Sequence, residues 1–178
     1  MPLTAAAGSI SLAVDNLRVT LADSAAFRTW SGTSTQAAAL ARIYYESLPP
    51  PTDKNEHTLV ELTALRPCAL VWTEPTSGFT LRHDSQGSSF GYNESGVMMI
   101  RFLQTVDPAI VADAAEIARR FLNAIGTILD ELAASAGVAG YIASEELELE
   151  FGPYRGEVDE RATQGDYIGC DVKVTWGT

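Results

Sequence analysis

Residues 106–136, VDPAIVADAAEIARRFLNAIGTILDELAASA, form the longest run in the chain with one clear period. Ile110, Ile117, Phe121, Ile125, Ile128 and Leu132 recur at spacings of three, four and seven. That spacing puts them on one face of a helix. Val111, Leu122 and Leu129 widen the face, while Asp113, Glu116, Arg119, Arg120, Asp130 and Glu131 fall largely elsewhere. Asp107 is placed to cap the N-terminus, and Pro108 occupies the first helical position, where its missing N–H costs nothing. Gly137 is the expected stop. A helix over 108–136 spans about 43 Å at 1.5 Å per residue. One so long and one-sided needs a sheet or a second helix against it, and the segments on either side read as strands.

Downstream, Glu146 to Phe151 alternates cleanly: Leu147, Leu149 and Phe151 point to the core, and Glu146, Glu148 and Glu150 to the opposite, wet face. After the polar loop 157–165, Asp166 to Trp176 is the last strand. Ile168, Cys170, Val172, Val174 and Trp176 share one of its faces; Asp171, Lys173 and Thr175 share the other. Upstream, Gly96 to Gln104 is apolar on both parities apart from Arg101 and Gln104, as a central strand should be. Pro67 to Thr73 is a buried strand and Phe79 to His83 a half-buried one. Asp84 to Gly96 reads as a long hairpin loop, pinned by Phe90 and Tyr92.

Residues 1–8 look loose. A first helix starts at Ser9 or Ser11, with Ile10, Val14, Leu17 and Leu21 on one face, and ends before Trp30. A second, capped by Thr33 and Gln36, covers Thr35 to Glu46, and Pro49-Pro50-Pro51 ends it. Residues 52–57 are a surface loop with His57 in solvent. Leu59 to Leu65 has no decisive period and fits either a lead-in strand or one helical turn. The expected architecture is α+β: a single, mostly antiparallel sheet of about five strands, packed against the long helix and the N-terminal helices. One domain spans 1–178, with 1–8 flexible, 9–48 helical, and 66–178 holding the sheet and the helix 108–136.

The 178 residues suffice for a core, and an apolar content of 46% supports one. Net charge is −11. Such a chain is poorly suited to gripping a phosphate backbone, which needs clustered Lys and Arg. No run is long and apolar enough to span a membrane, and the N-terminus lacks the basic start of a signal peptide. Cys68 and Cys170 lie in strands; a disulfide between them is open but unforced, and the preferred reading, buried free thiols, fits a reducing compartment. Residues 141–178 carry nine acids against three bases, a net of −6. More than half of the excess charge therefore sits in about a fifth of the length.

Chemistry is sparse. The two histidines are not in any zinc spacing, and no metal or cofactor is expected. No phosphate-cradling glycine motif and no G-x-S-x-G elbow occur. His83-Asp84 reads as a strand end meeting water rather than as part of an acyl-transfer site. Glu146, Glu148 and Glu150 stand about 6.6 Å apart per step along a strand. That separation occurs between glycosidase carboxylates, but the alternation already accounts for them as a solvated or lumen-facing row. The acids at 157–166 lack calcium-loop spacing. No catalytic residue is assigned, and the expectation is a protein that is not an enzyme.

The order of elements carries a resemblance. It lies in Ser11 to Arg28, Cys68 to Thr73, Phe79 to His83, Val97 to Gln104, Pro108 to Ala136, Glu146 to Phe151 and Asp166 to Trp176. The segments Phe151-Gly152-Pro153-Tyr154-Arg155, Gly165-Asp166-Tyr167 and Val172 to Gly177 add to it. The chain resembles the tail terminator and tail-completion (neck) proteins of long-tailed bacteriophages and prophages. Their plan is an N-terminal helix, antiparallel strands with a long hairpin, a long helix across the sheet, and closing strands. The second helix and its triple-proline exit go beyond that plan.

The resemblance implies a structural virion component of the neck or tail, assembled in the host bacterial cytoplasm. Its partners would be copies of itself in a ring, a hexamer, together with the tail tube protein and head connector proteins. Phe90, Tyr92, Asn93, Tyr154 and Arg155 would contact a neighbour or the tube. Glu146, Glu148 and Glu150 would line a channel through which DNA passes without specific binding. The alternative is a small soluble accessory or binding domain of unrelated bacterial function.

Overall fold

The computed structural model describes residues 9–52, 57–73, 80–84, 91–105, 114–139, 149–152 and 167–177. The chain begins with α1 (Ser9–Asp23), α2 (Ala25–Trp30), α3 (Gln36–Leu40) and the short strand β1 (Ile43–Tyr45). Then come α4 (Leu59–Leu65), β2 (Cys68–Thr73), β3 (Thr80–Asp84) and β4 (Gly91–Thr105). It closes with α5 (Ala114–Ala139), β5 (Leu149–Gly152) and β6 (Tyr167–Gly177). The fold is α+β, with α1, α2 and α5 packed on one face of the sheet.

β4 is the axis of that sheet. The order is β1-β2-β4-β6-β5, with β3 paired to the N-terminal part of β4. All pairings are antiparallel except β1 with β2. β2 and β3 lie in line along one side of β4: Cys68 to Thr73 oppose Leu103 to Met98, and Thr80 to Asp84 oppose Ser95 to Gly91. On the other side β6 reaches only as far as Ser95, opposite Gly177. Residues 91–94 therefore pair with β3 alone among the described strands, and the β3–β4 ribbon overhangs the sheet by about 14 Å at 3.4 Å per residue.

The main core lies between this sheet and α1, α2 and α5. Ala69, Val71, Met98, Ile100, Phe102, Ile168, Cys170, Val172 and Val174 form the sheet side. Val14, Leu17 and Leu21 of α1, Phe27 of α2, and Phe121, Ile125, Ile128, Leu129 and Leu132 of α5 form the helix side. The alternation in β6 and the 3.6-residue period in α5 thus meet face to face. Trp30 joins three elements: its ring centre is 5.7 Å from Phe27, 5.7 Å from Phe102 and 6.2 Å from Phe121. Its Nε1 donates to Gln104 Oε1 at 2.8 Å, so the polar tip is satisfied where the ring is packed.

Several sequence expectations are corrected. The described residues form a six-stranded sheet where about five strands are expected, because part of the expected second helix is strand. Thr35, not Thr33, caps a five-residue helix by accepting from Ala38 N. Ile43-Tyr44-Tyr45, β-branched and aromatic, then pairs with β2. The first helix breaks at Ser24, whose ψ of 123° is non-helical and whose hydroxyl accepts from Phe27 N. Of the two alternatives open for Leu59–Leu65 the helical one holds, with a full Thr58–Glu61 capping box. Gly91 to Ser95, read as loop, are strand. Gly137 does not stop α5, which continues to Ala139; one glycine costs a packed helix only about 1 kcal/mol. The expected start at Asp107-Pro108 and the loose residues 1–8 lie outside the described residues. Arg119 and Arg120 are exposed and both donate to Glu116.

Candidate functional site

The far face of the sheet, away from α1, α2 and α5, carries a second, smaller cluster. Cys68, Leu70 and Leu103 are buried there, with Tyr44, Leu48, Trp72 and Tyr167 packed around them. Gly169 belongs to the same face opposite Leu103, and a Cβ on it would stand 2.9 Å from Leu103 Cδ2.

Local chemistry brings the surrounding segments onto this face. Glu46 has φ of +55°, which ends β1, and its N–H donates to Val71 O at 3.1 Å. Glu61 ties the next segment down: its carboxylate accepts from Thr58 N at 2.8 Å and from Thr52 N at 3.0 Å. The Thr58 N–H, followed by the groups of Thr52, holds this carboxyl at about 2. His57 Nδ1 then sits 4.0 Å from Glu61 Oε2. His57 was expected in solvent, but its side chain is only 19% exposed. α4 ends at Arg66, whose N–H donates to Leu62 O, and the Arg66–Pro67 peptide is cis.

These segments and the sheet border a half-open cavity of about 390 Å³. Leu70 and Leu103 form its apolar base, and Glu46, Ser47, Leu48 and His57 border it from the preceding segments. Arg66, Arg101 and Tyr167 complete it. Arg101 is committed: its Nε and Nη2 donate to Asp171 Oδ1 and Oδ2, both at 2.6 Å, across the β4–β6 register. Its guanidinium also lies 5.5 Å from the Trp72 ring centre. Arg66 differs. It is 8% exposed, and its guanidinium rests 4.8 Å from the Tyr167 ring centre. Among the described residues, its Nε and Nη1 have no hydrogen-bond partner. Burial lowers its pKa, yet a guanidinium stays charged in a protein.

Burial pushes the nearby Cys68 thiol up to about 12 and raises the Tyr44 hydroxyl, so neither is an ionised nucleophile at neutral pH. Among the described residues no group of three or more His, Cys, Asp or Glu could hold a metal ion. No helix among them is long and apolar enough to cross a membrane.

Few of the residues singled out from the sequence fall in this region. Glu150 stands opposite Asp171 in the β5–β6 register, in the row of Arg101 and Leu70. Tyr92 and Asn93 are in the overhanging ribbon, opposite His83 and Arg82. Phe90, Glu146, Glu148, Tyr154 and Arg155 lie outside the described residues. The sequence reading missed Arg66, Arg101, Asp171 and Tyr167. Arg101 and Asp171 left a signal, opposite charges inside two apolar strands; Arg66 left none. No protein-family model matches the chain, and no curated protein does.

Proposed function

We propose that this chain is a non-enzymatic structural component of a phage neck or tail, one subunit of a ring that terminates or joins the tail tube. The observation that carries the reading is the β3–β4 ribbon, in which residues 91–94 pair with β3 alone among the described strands. A two-stranded ribbon is at best marginally stable by itself. It is well formed to reach a neighbouring subunit and pair or pack there. The acidic C-terminal segment supports the same reading, because negative walls let a duplex slide without sticking. On this reading the chain acts in the virion, with copies of itself, tail tube protein and head connector proteins as partners, and DNA passes unbound.

The test is the mass of the assembly by light scattering across a concentration range, with and without added tail tube protein. A closed species of fixed subunit number, six on this reading, is expected in at least one condition. Replacing residues 83–92 by Asn-Gly, a turn that fits a two-residue hairpin, should leave the melting temperature nearly unchanged and abolish the assembly. A chain that stays single in every condition overturns the proposal. The second reading, a small binding domain of unrelated bacterial function, draws on the far-face cavity.

A further inference from the structure

Arg66 is the least satisfied charge among the described residues. A buried cation without a hydrogen-bonded anion is costly, and the Tyr167 ring offsets only part of that cost. Arg66 makes no ion pair with any described carboxylate. The other cation at the cavity, Arg101, is held in its two-pronged contact with Asp171. Among the described residues, none offers Arg66 a negative partner.

We propose that the far-face cavity binds a carboxylate carried on an apolar body, with the carboxylate paired to Arg66 and the body seated on Leu70 and Leu103. The planar guanidinium fork matches a carboxylate in shape and charge. The volume of about 390 Å³ lies in the range of small-molecule sites. A single negative charge fits better than a phosphate dianion, because Glu46 also lines the cavity and the chain as a whole is at −11. The carboxylate belongs either to a free small molecule or to an acidic side chain of another copy. This proposal stands independently of ring formation.

Benzoate and its neutral analogue benzamide are the probes, titrated into the full chain by calorimetry while the Arg66 Nε–H resonance is followed. Benzoate should bind saturably, with Kd on the order of 1 mM or tighter, and move that resonance. Benzamide should bind at least about tenfold more weakly, since a charged hydrogen bond is lost. Arg66→Gln should weaken benzoate by a similar factor. If that variant does not fold, the benzoate–benzamide comparison on the unaltered chain still decides. Equal binding of the two probes, or no saturable binding of benzoate, overturns the proposal. Where the chain assembles, sedimentation with benzoate separates the sources: a fall in assembly mass assigns the site to a neighbour's carboxylate, and an unchanged mass assigns it to a free ligand; a chain that is single without benzoate assigns it to a free ligand directly.

Discussion

The Ser24 hydroxyl donates to Glu131 Oε2 at 2.7 Å, joining residues 107 apart in sequence. The same carboxylate oxygen accepts from Ala26 N at 3.1 Å. A residue of α5 thereby completes the N-terminus of α2, and Ser24 caps that helix from within at 2.9 Å to Phe27 N. The long helix holds the N-terminal helices by a charged contact as well as by its apolar face.

Glu131→Gln should cost about 1 kcal/mol, the worth of a capping contact. The hydroxyl of Ser24, then the backbone N–H of Ala26, lowers the Glu131 pKa from its ordinary 4.5. A carboxyl lowered on folding adds stability above its unfolded pKa and loses it as pH falls through the folded value. The difference in melting temperature between the natural chain and Glu131→Gln should be full near neutral pH and shrink as pH drops below 4.5. A difference that grows on acidification contradicts the contact.

Two glycines should respond in opposite directions to alanine. Gly126 is exposed in the middle of α5, and a Cβ there meets nothing within 4 Å. Gly126→Ala should stabilise by up to about 1 kcal/mol through helix propensity. At Gly169 the Cβ would come within 2.9 Å of Leu103 Cδ2 and 3.0 Å of Phe102 O. Leu103 can shift but the carbonyl cannot readily, so Gly169→Ala should destabilise by about 1–3 kcal/mol. Urea midpoints for the two variants, at unchanged slope, check both signs.

Removing one member of the Arg101–Asp171 pair should cost more than removing both. Asp171 is buried, so Arg101→Met strands its charge at about 2–4 kcal/mol, reduced from the fully buried case because the Arg101 side chain is 38% exposed. The double change Arg101→Met with Asp171→Leu should recover most of that loss. A double-mutant cycle in urea measures the coupling, and additive losses would mean that the pair is not a unit.

What the sequence discloses is burial, and it does so where burial is one-sided. Phe121, Ile125, Ile128 and Leu132 show it in α5, as do Ile168, Cys170, Val172 and Val174 in β6, and all are buried. Gly91 to Ser95 form a strand through backbone pairing with β3, which leaves no hydrophobic period to read. The helix break at Ser24 is also tied to Glu131, far along the chain. The Thr58–Glu61 capping box was legible as T-x-x-E, yet a seven-residue helix offers too short a period to confirm it. The far-face cavity combines residues from β1's exit, α4's end and three strands, and only the fold brings those together.

Cys68 pairs in register with Leu103 and Cys170 with Phe102, so adjacent residues of β4 separate the two thiols onto opposite faces. Burial raises both to about 12. The sheet thus bars them from joining, and it also makes them a pair of built-in gauges. Alkylation of Cys170 times the lifting of the helices, and alkylation of Cys68 times the opening of the cavity side. Rates that diverge would show the two layers parting separately; rates that coincide would show them lost in one event.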